Sequence, residues 1–128
     1  MQMTVADIFS QKGEPFFRSV EEKIVLKALQ NKRSIISLGG GAFFNDKIRK
    51  EIIMNHVSFW LNWSSKTLLN RIRKSAKRPI ANKLSNKELI DLIYKRKKIY
   101  TKAKFKINCD KLSKQQILLN IQRAYETI

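Results

Sequence analysis

Ser34-Ile35-Ile36-Ser37-Leu38-Gly39-Gly40-Gly41 is a short apolar run stopped by three consecutive glycines. The run reads as a β-strand, and the glycines as the turn at its end. Ligands of α/β sheets gather at such strand ends. Three of the chain's 4 glycines stand here. Without side chains, backbone N–H groups can approach an anion or a hydroxyl closely. A flexible strand-to-helix turn would use the same residues, and the triplet does not match a phosphate loop.

Outward from this turn, helix and strand patterns alternate. Upstream, Phe17, Val20, Ile24 and Ala28 recur at helical spacing between Pro15 and Gln30. Downstream, Asn45 and Asp46 open a short helix carrying Ile48, Ile52 and Ile53. Val57-Ser58-Phe59-Trp60-Leu61 suits a second strand, and Ser64 caps a helix through Leu68, Leu69 and Ile72. Lys74 to Leu84 is charged and poor in large apolar groups, so it reads as a mobile loop. Ser85-Asn86-Lys87-Glu88 is a capping box opening a helix with Leu89, Leu92 and Ile93 inward. Phe105, Ile107 and Cys109 alternate with Lys106 and Asn108 as a third strand. Ser113 with Gln116 then opens a last helix presenting Ile117, Ile121, Ala124 and Ile128. The alternation predicts an α/β layered fold with a largely parallel sheet, as a single domain over residues 1–128. So few strands make a poor core by themselves, which raises the expectation of a further segment in front of Met1.

The 128 residues carry 27 Lys+Arg against 10 Asp+Glu, a formal net charge of +17. Such a charge could attract nucleic acid or an anionic membrane surface. Yet 19 of the basic residues are Lys, and with 16 Ile and 9 Asn they make up 44 of the 128 residues. That is the skew of an AT-rich genome. The lysines also run along the whole chain rather than in one block, so a solvated Lys-rich surface is preferred to a nucleic-acid interface. No apolar run is long enough to span a bilayer, and the first residues lack the pattern of a signal peptide. The one cysteine, Cys109, excludes an internal disulfide and any multi-cysteine metal site, and fits a reducing cytosol.

Individual residues then carry the chemistry. Arg96 lies seven residues after Leu89 and four after Leu92, on the stripe that should face the core, flanked by Lys95, Lys97 and Lys98. An arginine on that side needs a carboxylate or phosphate partner, unless it snorkels or pairs internally. Arg18 has Glu21 and Glu22 at helical spacing. Spacing alone favours a helical ion pair, and an anion-binding arginine oriented by a carboxylate is the alternative. Arg78-Pro79 falls in the mobile loop, with Arg71 one helix end away. A lid that folds an arginine over a phosphoryl group is one reading, a solvated loop charge the other. His56 lacks an obvious acid or metal partner, Cys109 reads as core, and Trp60 and Trp63 as packing or cleft wall.

Several stretches stand in a telling order. They are Val5-Ala6-Asp7-Ile8-Phe9, Gly13-Glu14 with Phe17-Arg18 and Glu21-Glu22, Ser37-Leu38-Gly39-Gly40-Gly41-Ala42, and Phe59-Trp60-Leu61. Arg71, Arg78-Pro79 and Arg96 ahead of Tyr100 follow. Order and spacing resemble the shikimate kinase family, P-loop kinases that phosphorylate the 3-hydroxyl of shikimate in aromatic amino-acid biosynthesis. The resemblance implies that Arg18 and Arg96 grip the shikimate carboxylate and that Glu21 orients the pair. It implies that Gly39, Gly40 and Gly41 form a backbone platform for the substrate hydroxyls, with Phe17 lining the pocket. It further implies ATP with Mg2+, Arg71 packing on adenine, and Arg78 reaching the transferring charge from a lid at 74–84. Ser37 would help to hold magnesium through water. A cytoplasmic monomer binding shikimate and ATP, with neither a membrane nor nucleic acid as partner, completes the expectation. Within enzymes the alternative is a related small P-loop kinase such as a gluconate kinase. Outside them it is a non-catalytic basic module that binds nucleic acid or a partner.

The family opens on a strand, a Walker A loop of the G-x-x-x-x-G-K-[ST] type, a helix and a second strand bearing an Asp-x-Asp pair. No Gly-Lys dipeptide occurs in the 128 residues. The expectation is therefore a partial P-loop kinase three-layer fold with a parallel sheet, without the first strand, phosphate loop and second strand. Such a chain is expected to be inactive alone.

Overall fold

The computed structural model describes residues 3–75 and 83–128. Helix α1 spans Val5–Lys12 and begins on a reciprocal cap. The Thr4 hydroxyl accepts from the Asp7 N–H at 3.0 Å, and the Asp7 carboxylate accepts from the Thr4 N–H at 3.1 Å. Hydrophobic periodicity does not announce this helix, because none of its residues is buried. Gly13, at φ +84° and ψ 168°, ends α1 and directly precedes α2 (Glu14–Ala28). That backbone region is open essentially to glycine alone, so the chain turns from one helix into the next without a linker.

The inward face of α2 differs from the expected stripe. Val25, Leu26 and Leu29 pack with Ala42, Phe43, Ile48 and Ile52 in the first core, whereas Ile24 is 63% exposed. The first half of that inward face is given to Arg18, Glu21 and Glu22, none of which is exposed. The apolar pattern is displaced by the site it serves.

The segment 34–38 corrects the sequence reading: it forms no strand. Ile36 and Leu38 turn toward the first core, and Ile35 is 102% exposed, so the period-2 alternation survives. A strand also needs a neighbour to complete its ladder, and the described strands pair only with each other. These are β1 (Phe59–Asn62) and β2 (Phe105–Asn108), parallel, with Phe59 opposite Phe105 and Asn62 opposite Asn108. A parallel pair needs a long crossover, which runs through α4 (Ser65–Lys74) and α5 (Asn86–Tyr100). Helix α3 (Asp46–Asn55) precedes β1, and α6 (Lys114–Tyr125) follows β2.

The sequence-predicted caps are present. Asn45, Ser64, Ser85 and Ser113 each accept from a backbone N–H, at 3.0, 3.2, 3.2 and 3.2 Å. Under the sheet, Ile107, Cys109 and Ile117 form a second core with Phe59, Trp63, Leu112 and Ile121. No helix among the described residues is long and apolar enough to cross a membrane.

Candidate functional site

A cleft of 370 Å³ opens beside the glycine turn, lined by Glu14, Arg18, Glu21, Gly41, Phe44, Asn45, Leu92 and Arg96. Three elements aim at it. Arg18 projects from the first turns of α2, and its Nη1 donates to Glu21 Oε1 at 2.9 Å, with Glu14 3.6 Å away. Arg96 projects from α5, half-buried, and makes no ion pair with a described carboxylate. A half-buried guanidinium left without an anion carries a desolvation cost that an anionic ligand relieves.

The glycines are there for space. A Cβ at Gly39 would lie 3.2 Å from Glu21 Oε2, one at Gly40 2.6 Å from Arg96 Nη1, and one at Gly41 2.5 Å from Arg18 Nη1. Each glycine thus makes room for one of the charged groups singled out from the sequence. The turn is held in place by its own backbone, with the Ala42 N–H donating to Gly39 O at 3.1 Å and Phe44 N–H to Gly41 O at 3.2 Å. Tyr100 Oη donates to the carbonyl of Gly40 and ties the turn to α5.

The remaining expected residues fall elsewhere. Phe17 packs against Phe9 with the rings tilted by 39° and their centroids 4.8 Å apart, the Arg18 guanidinium is 5.3 Å from its ring, and it does not line the cleft. Arg71 lies on α4 over the indole of Trp63. Arg78 and most of the loop 74–84 lie outside the described residues. Ser37 is exposed and offers one neutral oxygen, and the described residues hold no group of three His, Cys, Asp or Glu that could hold a metal. Cys109 is buried, donates to Ile107 O, and has its thiol pushed up from its ordinary value by burial, as expected of a core residue. His56 has an acid neighbour the sequence pattern did not reveal, Glu51 at 3.4 Å.

Sequence reasoning missed Glu14, Phe44, Asn45 and Leu92 as cleft residues. Asn45 Nδ2 donates to Glu22 Oε2 at 2.7 Å while its Oδ1 caps α3, so one side chain joins α2, the cleft and α3. Its capping role hides the second one in the sequence.

The family model described as shikimate kinase matches residues 1–126. The chain belongs to the shikimate kinase family. The shikimate kinase of Bartonella henselae is 33% identical over 126 residues, covering 98% of this chain and 60% of that protein. The chain thus spans about three-fifths of that curated relative, whereas it covers 73% of the Thermodesulfovibrio yellowstonii shikimate kinase, which is 31% identical. The crystal structure of the Bacteroides thetaiotaomicron shikimate kinase superposes with a TM-score of 0.76 at 30% identity, over 97% of this chain and 74% of that one. The parallel strand pair and surrounding helices are therefore part of a shikimate kinase α/β fold.

Proposed function

We propose that this chain is the acceptor-binding portion of an ATP-dependent shikimate kinase, acting in the cytoplasm as a monomer. The observation that carries the reading is the unpaired Arg96 facing the Arg18–Glu21 pair across the glycine turn. Two guanidinium groups, one already oriented by a carboxylate, suit a small carboxylate ligand. A shikimate kinase from Acinetobacter baumannii of the same fold is known in complex with shikimate. In this reading Arg18 and Arg96 donate to the substrate carboxylate, Glu21 holds Arg18, and the backbone of Gly39 to Gly41 meets the hydroxyls. That fixes the 3-hydroxyl for in-line transfer from ATP, supplied as its magnesium complex. The γ-phosphorus bond to ADP breaks as the bond to the 3-oxygen forms, and the hydroxyl proton leaves to a base. Arg71 would meet the adenine, and Arg78 the transferring charge.

The test is calorimetric titration of shikimate. Arg96→Gln is expected to weaken binding about 10- to 100-fold, the loss of charge-assisted hydrogen bonds. Equal affinity in the variant would overturn the assignment. The 128 residues contain no Gly-Lys pair, so they are expected to bind shikimate without phosphorylating it. Shikimate-dependent ADP release by the purified chain would contradict that part.

A further inference from the structure

The glycine turn can present either face of its central peptide, and its own sequence does not choose between them. The Ala42 N–H donates to Gly39 O at 3.1 Å, so Gly39 to Ala42 form a β-turn with Gly40 and Gly41 at its centre. Gly41 stands at φ −97° and ψ −8°, and none of the three glycines has a positive φ. This is a type I turn, whose third residue sits near φ about −90° and ψ about 0°. A type II turn closes the same hydrogen bond with the central peptide rotated by roughly half a revolution, and it calls for glycine at that third position. Gly41 makes room for Arg18, and the same missing Cβ leaves the flipped turn open to the backbone.

In a trans peptide the carbonyl and the N–H that follows it point in opposite directions. The Gly40 carbonyl is taken by the Tyr100 hydroxyl, so the Gly41 N–H lies on the side of that peptide away from Tyr100. This N–H makes no hydrogen bond within the described residues, and Gly41 lines the cleft. Tyr100 is itself well anchored. Its half-buried ring packs on the first core, 6.5 Å from the Phe43 ring and 6.1 Å from the Trp60 ring, centroid to centroid. It also stands one helical turn after Arg96 on α5, so one helix face supplies both a cleft guanidinium and the hydroxyl that holds the turn. A carbonyl that accepts a hydrogen bond makes the N–H of its own amide a stronger donor. We propose that Tyr100 is a positioning residue: its hydroxyl locks the Gly40–Gly41 peptide in the type I orientation, which presents the Gly41 N–H to a ring hydroxyl of the bound acid. This deepens the reading of the cleft as a shikimate site and rests on it.

Shikimate is titrated into the 128-residue chain, wild type and Tyr100→Phe, while backbone amide spectra are recorded. Cyclohex-1-ene-1-carboxylate, which keeps the ring carboxylate and lacks the hydroxyls, is titrated in parallel. Tyr100→Phe keeps the ring and should melt near the wild-type temperature. It should bind shikimate about fivefold to tenfold more weakly, the loss of one peptide hydrogen bond, while the hydroxyl-free acid binds both chains alike. In wild type the Gly41 amide proton should move downfield at saturating shikimate. In ligand-free Tyr100→Phe the same amide should be broadened or doubled, because both turns are then populated. Equal shikimate affinity in the two chains, equal weakening of the two acids, or a wild-type Gly41 amide unmoved by bound shikimate overturns the lock. That wild-type amide decides alone if Tyr100→Phe does not fold or the hydroxyl-free acid does not bind. If shikimate does not bind wild type, the cleft reading fails, and the ligand-free variant still judges the lock: a doubled Gly41 amide upholds it and a single sharp one overturns it.

Discussion

An alanine methyl at Gly40 would stand 2.6 Å from Arg96 Nη1, and that atom is the free end of a long side chain. The backbone has no need to move, because the guanidinium can. Gly40→Ala is therefore expected to leave the melting temperature nearly unchanged and to weaken shikimate binding about tenfold, the cost of displacing one charge-assisted contact. A thermal melt and a titration on the same sample separate the two effects, and unchanged affinity would mean that Arg96 does not touch the ligand. At this scale Arg96 was legible because a charge interrupts an apolar helical stripe. For Arg18 and Glu21, spacing favoured an ion pair and left an anion-binding arginine oriented by a carboxylate as the alternative. The cleft roles of Asn45 and Tyr100 were not legible, since Asn45 reaches Glu22 across 23 residues and Tyr100 reaches Gly40 across 60. No local spacing encodes contacts of that range.

Between elements, the Glu22 carboxylate is the joint of α2 and α3. The hydrogen bond from Asn45 is the main cause that holds it below its ordinary value; burial opposes that, and the nearby Lys47 ammonium adds to it. A carboxyl whose folded pKa is depressed contributes stability that is complete above its unfolded value, about 4.3. That contribution is lost as pH falls through the folded value. Asn45→Ala should therefore lower stability at neutral pH, by loss of the cap and of this bond, and should flatten the fall in stability below pH ~4.5. Glu88 and Asp110 are held low in the same direction and supply the slope that remains. Melts of wild type and variant across that range, if parallel, would show that Glu22 gains nothing from Asn45. Element starts were the most legible part of the chain, because each cap is a local pairing of a side chain with a backbone N–H. The segment 34–38 was misread for the opposite reason. Its alternation is real, but a strand is completed by a neighbour, and composition cannot report whether one lies alongside.

The whole molecule exposes more surface than its mass calls for. By surface–mass scaling, a folded monomer of 15.0 kDa exposes about 7,000 Å², and this chain exposes 9850 Å². Part of the excess is apolar: Ile35, Met54, Leu118 and Ile128 are all more than half exposed. Two strands of four residues also offer little sheet to bury. The isolated chain is therefore expected to unfold in a broad, low-temperature transition and to bind an apolar dye such as ANS under native conditions. A sharp transition without dye binding would mean that the apolar surface is covered, and a dimer in sedimentation would then overturn the proposed monomer. Salt separates this from the basic-module alternative, because the net charge of +17 opposes self-association. Screening strengthens a contact between copies driven by apolar burial, whereas it weakens binding to nucleic acid steeply. Binding to DNA that survives 200 mM salt would require a dedicated interface, and the even spread of lysines supplies none.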